Sequence, residues 1–111
     1  MTHRGTLAKP CMAGLLCLLL TACEEPTFRP LAQGETLLAF GDRLTEGRGV
    51  SPSQSYPSVL ANLSGHPVVN GGVSGELSQA GRARLPGLLV RHRPALVILL
   101  EGGNDILRGS G

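Results

Sequence analysis

Three short apolar runs recur at similar spacing from Thr36 onward, and this alternation constrains the fold more than any other feature of the chain. The runs cover Thr36 to Phe40, Pro67 to Asn70 and Ala95 to Leu100, and segments with helical periodicity, Ser55 to Leu63 and Ser78 to His92, lie between them. Alternating strands and helices form the βαβ repeat, and nearly continuous apolar strands indicate a parallel sheet covered on both faces. We therefore predict a flavodoxin-like, three-layer α/β/α fold.

Proline at position 86 interrupts the second helical segment. A proline inside a helix removes one backbone hydrogen bond and crowds the preceding turn. The sequence therefore predicts a kink or a boundary near Pro86.

Glycine and polar residues follow each predicted strand. These segments are Gly41 to Leu44, Gly71 to Glu76 and Glu101 to Asp105. Because the carboxyl ends of parallel strands lie at one edge of a sheet, where ligands bind, we expect the three segments to meet at one place. Glycine is typical of positions where the backbone approaches a ligand closely.

The N-terminal part of the chain has the order of features found in an export signal. Arg4 and Lys9 precede the uncharged run Met12 to Leu20, which is short for a membrane span of ~20 residues but suits a secretory signal. The following Leu20-Thr21-Ala22-Cys23 resembles a bacterial lipobox, which implies lipidation of Cys23 and an anchor at the periplasmic side of a bacterial membrane. The alternative is an ordinary secretory signal with an incidental cysteine.

These features predict three regions: a lipoprotein signal peptide at 1–22, a tether at 23–34 and a domain at 35–111. Cys11 and Cys17 would leave with the signal, so Cys23 would be the single remaining cysteine and could form no disulfide within the mature chain. Of the ten basic residues, Arg4 and Lys9 would also leave, and eight basic would balance eight acidic residues. With no basic run and no interleaved aromatic residues, the mature chain lacks the pattern of a nucleic-acid-binding protein.

Taken together, the segments FGDRLTEG, NGGVSGELS and EGGND resemble the first three sequence blocks of the SGNH, or GDSL, hydrolases. The resemblance is to the bacterial thioesterase, lysophospholipase and arylesterase branch, and it extends from Thr36 to Gly109. It implies cofactor-free hydrolysis, without a metal, of lipid-like or aryl esters or thioesters through a serine acyl-enzyme. By position it also implies that Gly75 and Asn104 belong to the oxyanion hole. The residues expected to line the site beside them are Gly41, Asp42, Gly103 and Asp105.

Two departures from the family pattern predict that this chain is inactive. Arg43 occupies the position of the nucleophilic serine, and a guanidinium group has no oxygen that could accept an acyl group. The family's C-terminal Asp-x-x-His is missing, because Asp42 and Asp105 are the only aspartates and neither has histidine at the third following place. His66 and His92 are expected at the opposite edge of the sheet. Substitute nucleophiles, namely Thr45, Ser74 and Ser78, have no expected histidine partner.

The alternative function is a membrane-tethered pseudoenzyme that uses Arg43, beside Gly75 and Asn104, to bind an anionic, lipid-like ligand. The chain also predicts a fold truncated after its third parallel strand. An apolar strand at 95–100 would then lie at an unpaired edge, which favours poor folding or self-association.

Overall fold

The computed structural model describes Thr2, Gly5 and residues 25–110. The predicted signal peptide and the lipidation position Cys23 lie outside the part used below, which is residues 25–110. Residues 25–34 form no helix or strand, in keeping with the predicted tether, although the division into three regions stays a prediction.

Three parallel strands form the sheet: β1 (Leu37–Gly41), β2 (Val68–Gly72) and β3 (Leu96–Leu100). Their spatial order is β2-β1-β3, with Leu37 opposite both Val68 and Leu96. The central strand is buried along its whole length, because it is paired on both sides and covered on both faces. The predicted parallel α/β class is confirmed, and each strand lies within one or two residues of its predicted position.

Four α-helices and one 3₁₀ turn connect these strands within residues 25–110. The helices are α1 (Arg43–Glu46), α2 (Tyr56–Ser64), α3 (Ser78–His92) and α4 (Gly103–Arg108), and the 3₁₀ turn is Pro52–Gln54. The crossover through α2 moves from the central strand to one edge, and the crossover through α3 returns past it to the other edge. Because such crossovers are right-handed, α2 and α3 cover opposite faces of the sheet.

The boundary predicted near Pro86 is wrong, because α3 continues as one helix from Ser78 to His92. The carbonyl that loses its helical partner is that of Arg82, four residues earlier. Arg82 and Pro86 are both exposed, so water can satisfy this carbonyl and the helix tolerates the proline.

The apolar core is centred on β1, where Leu37, Leu38, Ala39 and Phe40 are almost completely buried. At the outer strand, by contrast, Leu99 is 64% exposed, so β3 is an edge strand with an apolar surface. None of the helices in residues 25–110 is both long enough and apolar enough to cross a membrane.

Candidate active site

The three glycine-rich segments meet at the carboxyl edge of the sheet, as the topology predicts. The backbone N–H of Val73, just after β2, donates to the carbonyl of Gly41 at 2.9 Å. The N–H of Asp42 approaches the carbonyl of Leu100, at the end of β3, at 3.4 Å. The arrangement of the site backbone is therefore set by the register of the strands.

Residue 43, the nucleophile position of the resembling family, begins the short helix α1. Asp42 precedes it as a buried N-cap, and its side chain accepts a hydrogen bond from the backbone N–H of Leu44 at 3.0 Å. Arg43 itself is exposed, and within residues 25–110 its side chain makes no hydrogen bond or ion pair. The adjacent Asp42 and Arg43 therefore have separate roles, a buried cap and an exposed cation.

Gly75, the predicted oxyanion-hole glycine, lies in a tight turn from Val73 to Glu76. The N–H of Glu76 donates to the carbonyl of Val73 at 3.3 Å, and Gly75 has φ of +77°. A side chain would strain the backbone in this left-handed region, which explains the glycine. Within residues 25–110, neither the N–H of Ser74 nor that of Gly75 has a protein acceptor.

Asn104 and Asp105 connect the third segment to the other parts of the site. The amide nitrogen of Asn104 donates to the carbonyl of Glu76 at 2.9 Å, so the predicted oxyanion-hole amide is held against the Val73–Glu76 turn. Asp105 accepts 2.8 Å hydrogen bonds from both the backbone N–H and the hydroxyl of Ser78. These two bonds lower the pKa of the Asp105 carboxyl and cap the first turn of α3.

A largely buried ion pair, which the sequence does not predict, joins this turn to α3. Arg84 on α3 forms two hydrogen bonds with the Glu76 carboxylate, at 2.6 and 3.0 Å, and a third with the carbonyl of Gly71 at 2.9 Å. Its guanidinium group also lies 4.3 Å from the centre of the Phe40 ring. The spacing of eight residues between Glu76 and Arg84 spans a loop and a helix, so no local pattern reveals it.

Glu101 is a second unanticipated feature of the carboxyl edge. Both of its carboxylate oxygens are shielded from solvent, and within residues 25–110 neither has a hydrogen-bond partner. Its carboxyl carbon lies 3.4 Å from the position that a Cβ at Gly81 would occupy, beneath α3. Burial, together with the negative charges of Glu76, Asp42 and Asp105, raises the pKa of Glu101, and Arg84 opposes this effect.

The other hydroxyl and imidazole groups do not form a catalytic pair in the described residues. Thr45 is fully buried, and its hydroxyl lies 3.1 Å from that of Tyr56. Ser74 accepts a hydrogen bond from Arg48 at 3.3 Å. A nitrogen of His66 lies 3.1 Å from the carbonyl of Glu35, before β1 and therefore at the amino edge of the sheet.

His92 is the last residue of α3, before β3 begins, and therefore also lies away from the carboxyl edge. Within residues 25–110, no three or more histidine, cysteine, aspartate or glutamate side chains form a group that could hold a metal ion. The same residues form no closed pocket. The described part of the site is an open edge that carries backbone donors, one amide and several arginines.

Residues 39–111 match the GDSL-like lipase/acylhydrolase family. The chain is similar to "Thioesterase 1/protease 1/lysophospholipase L1" of Escherichia coli K12, with 47% identity over 85 residues that cover 75% of this chain and 40% of that protein. It is also similar to an arylesterase of Vibrio mimicus, with 40% identity over 88% of this chain and 50% of that protein.

Among solved structures, the fold is similar to that of AlinE4, an esterase of the SGNH-hydrolase family. The TM-score is 0.63 at 37% identity, and the match covers 72% of this chain and 46% of AlinE4. This chain therefore spans about half the length of the relatives that it matches.

Proposed function

Because this chain belongs to the GDSL-like lipase/acylhydrolase family, we propose that it derives from an esterase, thioesterase or lysophospholipase and that the 111 residues themselves do not hydrolyse esters. The observation that carries the proposal is Arg43 at the start of α1, directly after the N-cap Asp42. In the resembling family this position holds the serine that forms the acyl-enzyme.

The chemistry of arginine excludes it from that role. Its guanidinium group stays protonated in proteins, and it has no hydroxyl or thiol that could attack an ester carbonyl. Because Arg43 is exposed, its charge stays in water and does not disturb the backbone of the carboxyl edge. The edge therefore keeps its backbone arrangement but has no nucleophile at position 43.

Within residues 25–110, no histidine lies where it could act as a general base for residue 43. A base must lie within ~2.6–3.2 Å of the proton that it removes, or reach it through one water. His66 bonds to Glu35 at the amino edge, and His92 ends α3, so neither reaches the carboxyl edge. Restoring a serine at position 43 therefore supplies a hydroxyl without a histidine partner among the described residues.

Hydrolysis of p-nitrophenyl acetate tests the proposal, with the purified chain, Arg43→Ser, and Arg82→Ser as a matched control. Arg82 is an exposed arginine on α3, so its replacement changes the charge equally without touching residue 43. We expect all three proteins to give only the background rate. Turnover by the unmodified chain would contradict the absence of a nucleophile, and turnover by Arg43→Ser alone would contradict the absence of a base.

A second candidate function is that of a membrane-tethered pseudoenzyme that binds an anionic, lipid-like ligand. Within residues 25–110 the exposed guanidinium of Arg43 at the carboxyl edge has no partner, which favours this function because arginine binds carboxylates and phosphates through paired hydrogen bonds. Calorimetric titration with a fatty acid is the test. Arg43→Gln should weaken binding, whereas Arg82→Gln should not, and the absence of binding by the folded chain would reject this candidate.

We also propose that the chain is exported and anchored through a lipid on Cys23 at the periplasmic side of a bacterial membrane. The support is the order of basic residues, apolar run and Leu20-Thr21-Ala22-Cys23. Metabolic labelling with a radioactive fatty acid should mark the chain but not a Cys23→Ala variant. Equal labelling of both proteins would exclude Cys23 as the lipidated residue.

Self-association through β3 is the third part of the proposal. The apolar edge carries Leu99, which is 64% exposed, and an edge strand offers unpaired backbone groups to another strand. Light scattering after size-exclusion chromatography should show that Leu99→Lys reduces the assembled fraction. The control Val90→Lys changes a residue on α3 that is 78% exposed and should have little effect. A monomeric unmodified chain would refute this proposal.

A further inference from the structure

We propose that the segment from Leu89 to Leu96, which ends α3 and begins β3, binds the surface of an anionic phospholipid bilayer. This role goes beyond the function proposed above, because it requires neither hydrolysis nor a ligand at the carboxyl edge. The segment is called the 89–96 surface from here on.

Large apolar side chains of the 89–96 surface are exposed to solvent, although they belong to a regular helix and strand. Val90, in the last turn of α3, is 78% exposed, and Leu89 and Leu96 are exposed as well. Apolar surface is unfavourable in water unless another phase covers it. An exposed apolar patch with polar residues at its rim is typical of a contact with a membrane or a protein.

The same segment carries positive charge. Arg91 and Arg93 are exposed, and within residues 25–110 neither of them forms an ion pair. Between Glu76 and Glu101 the chain has four arginines and no acidic residue. Cations near the end of a helix stabilise its dipole, but that role does not explain why their apolar neighbours are exposed. Arginine beside exposed apolar residues is the composition of a helix that lies on an anionic membrane.

The fold places the 89–96 surface at the amino edge of the sheet, where the chain enters β1. The N–H of Ala95 donates to the carbonyl of Thr36 at 2.8 Å, and Leu96 lies opposite Leu37, the first residue of β1. The residues that lead into the domain therefore arrive beside this surface. A lipid on Cys23, as proposed above, would hold the amino edge near a membrane and leave the carboxyl edge facing away from it.

Charge favours a bilayer over a second copy of the chain as the partner. A symmetric contact would place Arg91 and Arg93 against the same arginines of the other copy, and such like charges repel. An anionic bilayer offers negative headgroups above an apolar layer, so one partner satisfies both kinds of side chain. The long arginine side chains can keep their charge at the headgroups while Val90 enters the layer below.

Tryptophan reporters test which edge of the domain contacts lipid, because the chain itself contains no tryptophan. Val90→Trp places the reporter on the 89–96 surface. Ile106→Trp is the matched control, at a similarly exposed aliphatic residue of α4 at the carboxyl edge. Both full chains also carry Cys23→Ala, so the result does not depend on the proposed lipid anchor. Each is mixed with vesicles that contain brominated phosphatidylcholine as a quencher, with or without phosphatidylglycerol.

Two charge variants are made in the Val90→Trp chain. Arg91→Gln removes a cation from the 89–96 surface, and Arg48→Gln removes an exposed cation that follows α1 at the carboxyl edge. We expect Arg91→Gln to need about fivefold more lipid for half-maximal quenching, which corresponds to the ~1 kcal/mol that one arginine contributes near an anionic membrane. Arg48→Gln should titrate like its parent.

The emission of Val90→Trp should shift to shorter wavelength and be quenched when phosphatidylglycerol is present, whereas Ile106→Trp should respond little in the same vesicles. The proposal is overturned if the two reporters respond equally, if phosphatidylglycerol has no effect, or if Arg91→Gln and Arg48→Gln titrate alike. A shift of Val90→Trp that depends on protein concentration and not on vesicles would also overturn it, because the partner would then be a second copy of the chain.

Discussion

Replacing Arg84 by methionine tests whether the buried ion pair holds the site to the fold. Arg84 joins α3 to the Glu76 carboxylate, to the Gly71 carbonyl and to the face of Phe40. Methionine keeps an apolar stem of similar length for packing but removes the charge and all three hydrogen bonds. The Glu76 side chain, which is only 6% exposed, would then carry a buried charge without a partner.

Breaking a buried pair in this way typically costs ~3–5 kcal/mol, mainly because the remaining charge is poorly solvated. The Arg84 side chain is itself 28% exposed, so water can approach Glu76 through the space that it leaves. We therefore expect a loss near the lower end, about 3 kcal/mol in the free energy of unfolding. Since a typical domain has only ~5–15 kcal/mol in total, this change is large.

Urea unfolding of the purified chain followed by circular dichroism measures the effect. Arg82→Met is the matched control, because Arg82 lies on the same helix but is exposed, and such surface changes usually stay within ~0.5 kcal/mol. The double variant Glu76→Gln, Arg84→Met removes the stranded charge as well. It should recover more than half of the loss.

Two results would refute the reasoning. If Arg84→Met and Arg82→Met destabilise the chain equally, the pair contributes no more than a surface charge. If the double variant is as unstable as Arg84→Met, the cost does not come from the unpaired carboxylate of Glu76. In that case lost packing against Phe40 would be the better explanation.

Glu101 and Gly41 give two further predictions. Because the folded-state pKa of Glu101 is raised, its contribution to stability is fully present below about pH 4.3 and is lost as the pH rises through the folded-state value. The gain in stability from Glu101→Gln should therefore grow between acidic and mildly alkaline pH. Urea unfolding at several pH values measures this gain, and a gain that does not change with pH would contradict the prediction. A Cβ at Gly41 would overlap the Leu100 carbonyl and the Thr45 hydroxyl, so Gly41→Ala should lower the urea concentration at the unfolding midpoint. The control Gly87→Ala, at an open position on α3, should not lower it. Equal midpoints for the two variants would show that the strand can shift to make room.

Local patterns were sufficient to predict the sheet and the convergence of its loops. Apolar runs around Leu38, Val69 and Val97 predict buried parallel strands, and parallel strands oblige their following segments to meet. The helical segment from Ser78 to His92 was predicted, but a kink or boundary was expected at Pro86 because proline normally interrupts a helix. Its tolerance depends on the exposure of the Arg82 carbonyl region, which is a property of the folded molecule.

The supporting contacts of the site were not predictable in the same way. The sequence alone predicts Glu76 and Arg84 to be ordinary surface charges. Only the packing of α3 against Phe40 brings them together and buries them. The same holds for Arg48 and Arg108, which are 60 positions apart in the chain and reach the same turn. Long-range side-chain pairing of this kind leaves no periodic signal.

The backbone hydrogen bonds that join Gly41 to Val73 and Asp42 to Leu100 have a consequence for the way in which the site can change over evolutionary time. None of them involves the side chain of residue 43, and that side chain projects from the surface. Selection for folding therefore has little influence on which amino acid occupies the position. A lineage could exchange the residue there, in either direction, and keep the surrounding architecture intact while its chemistry is lost or regained.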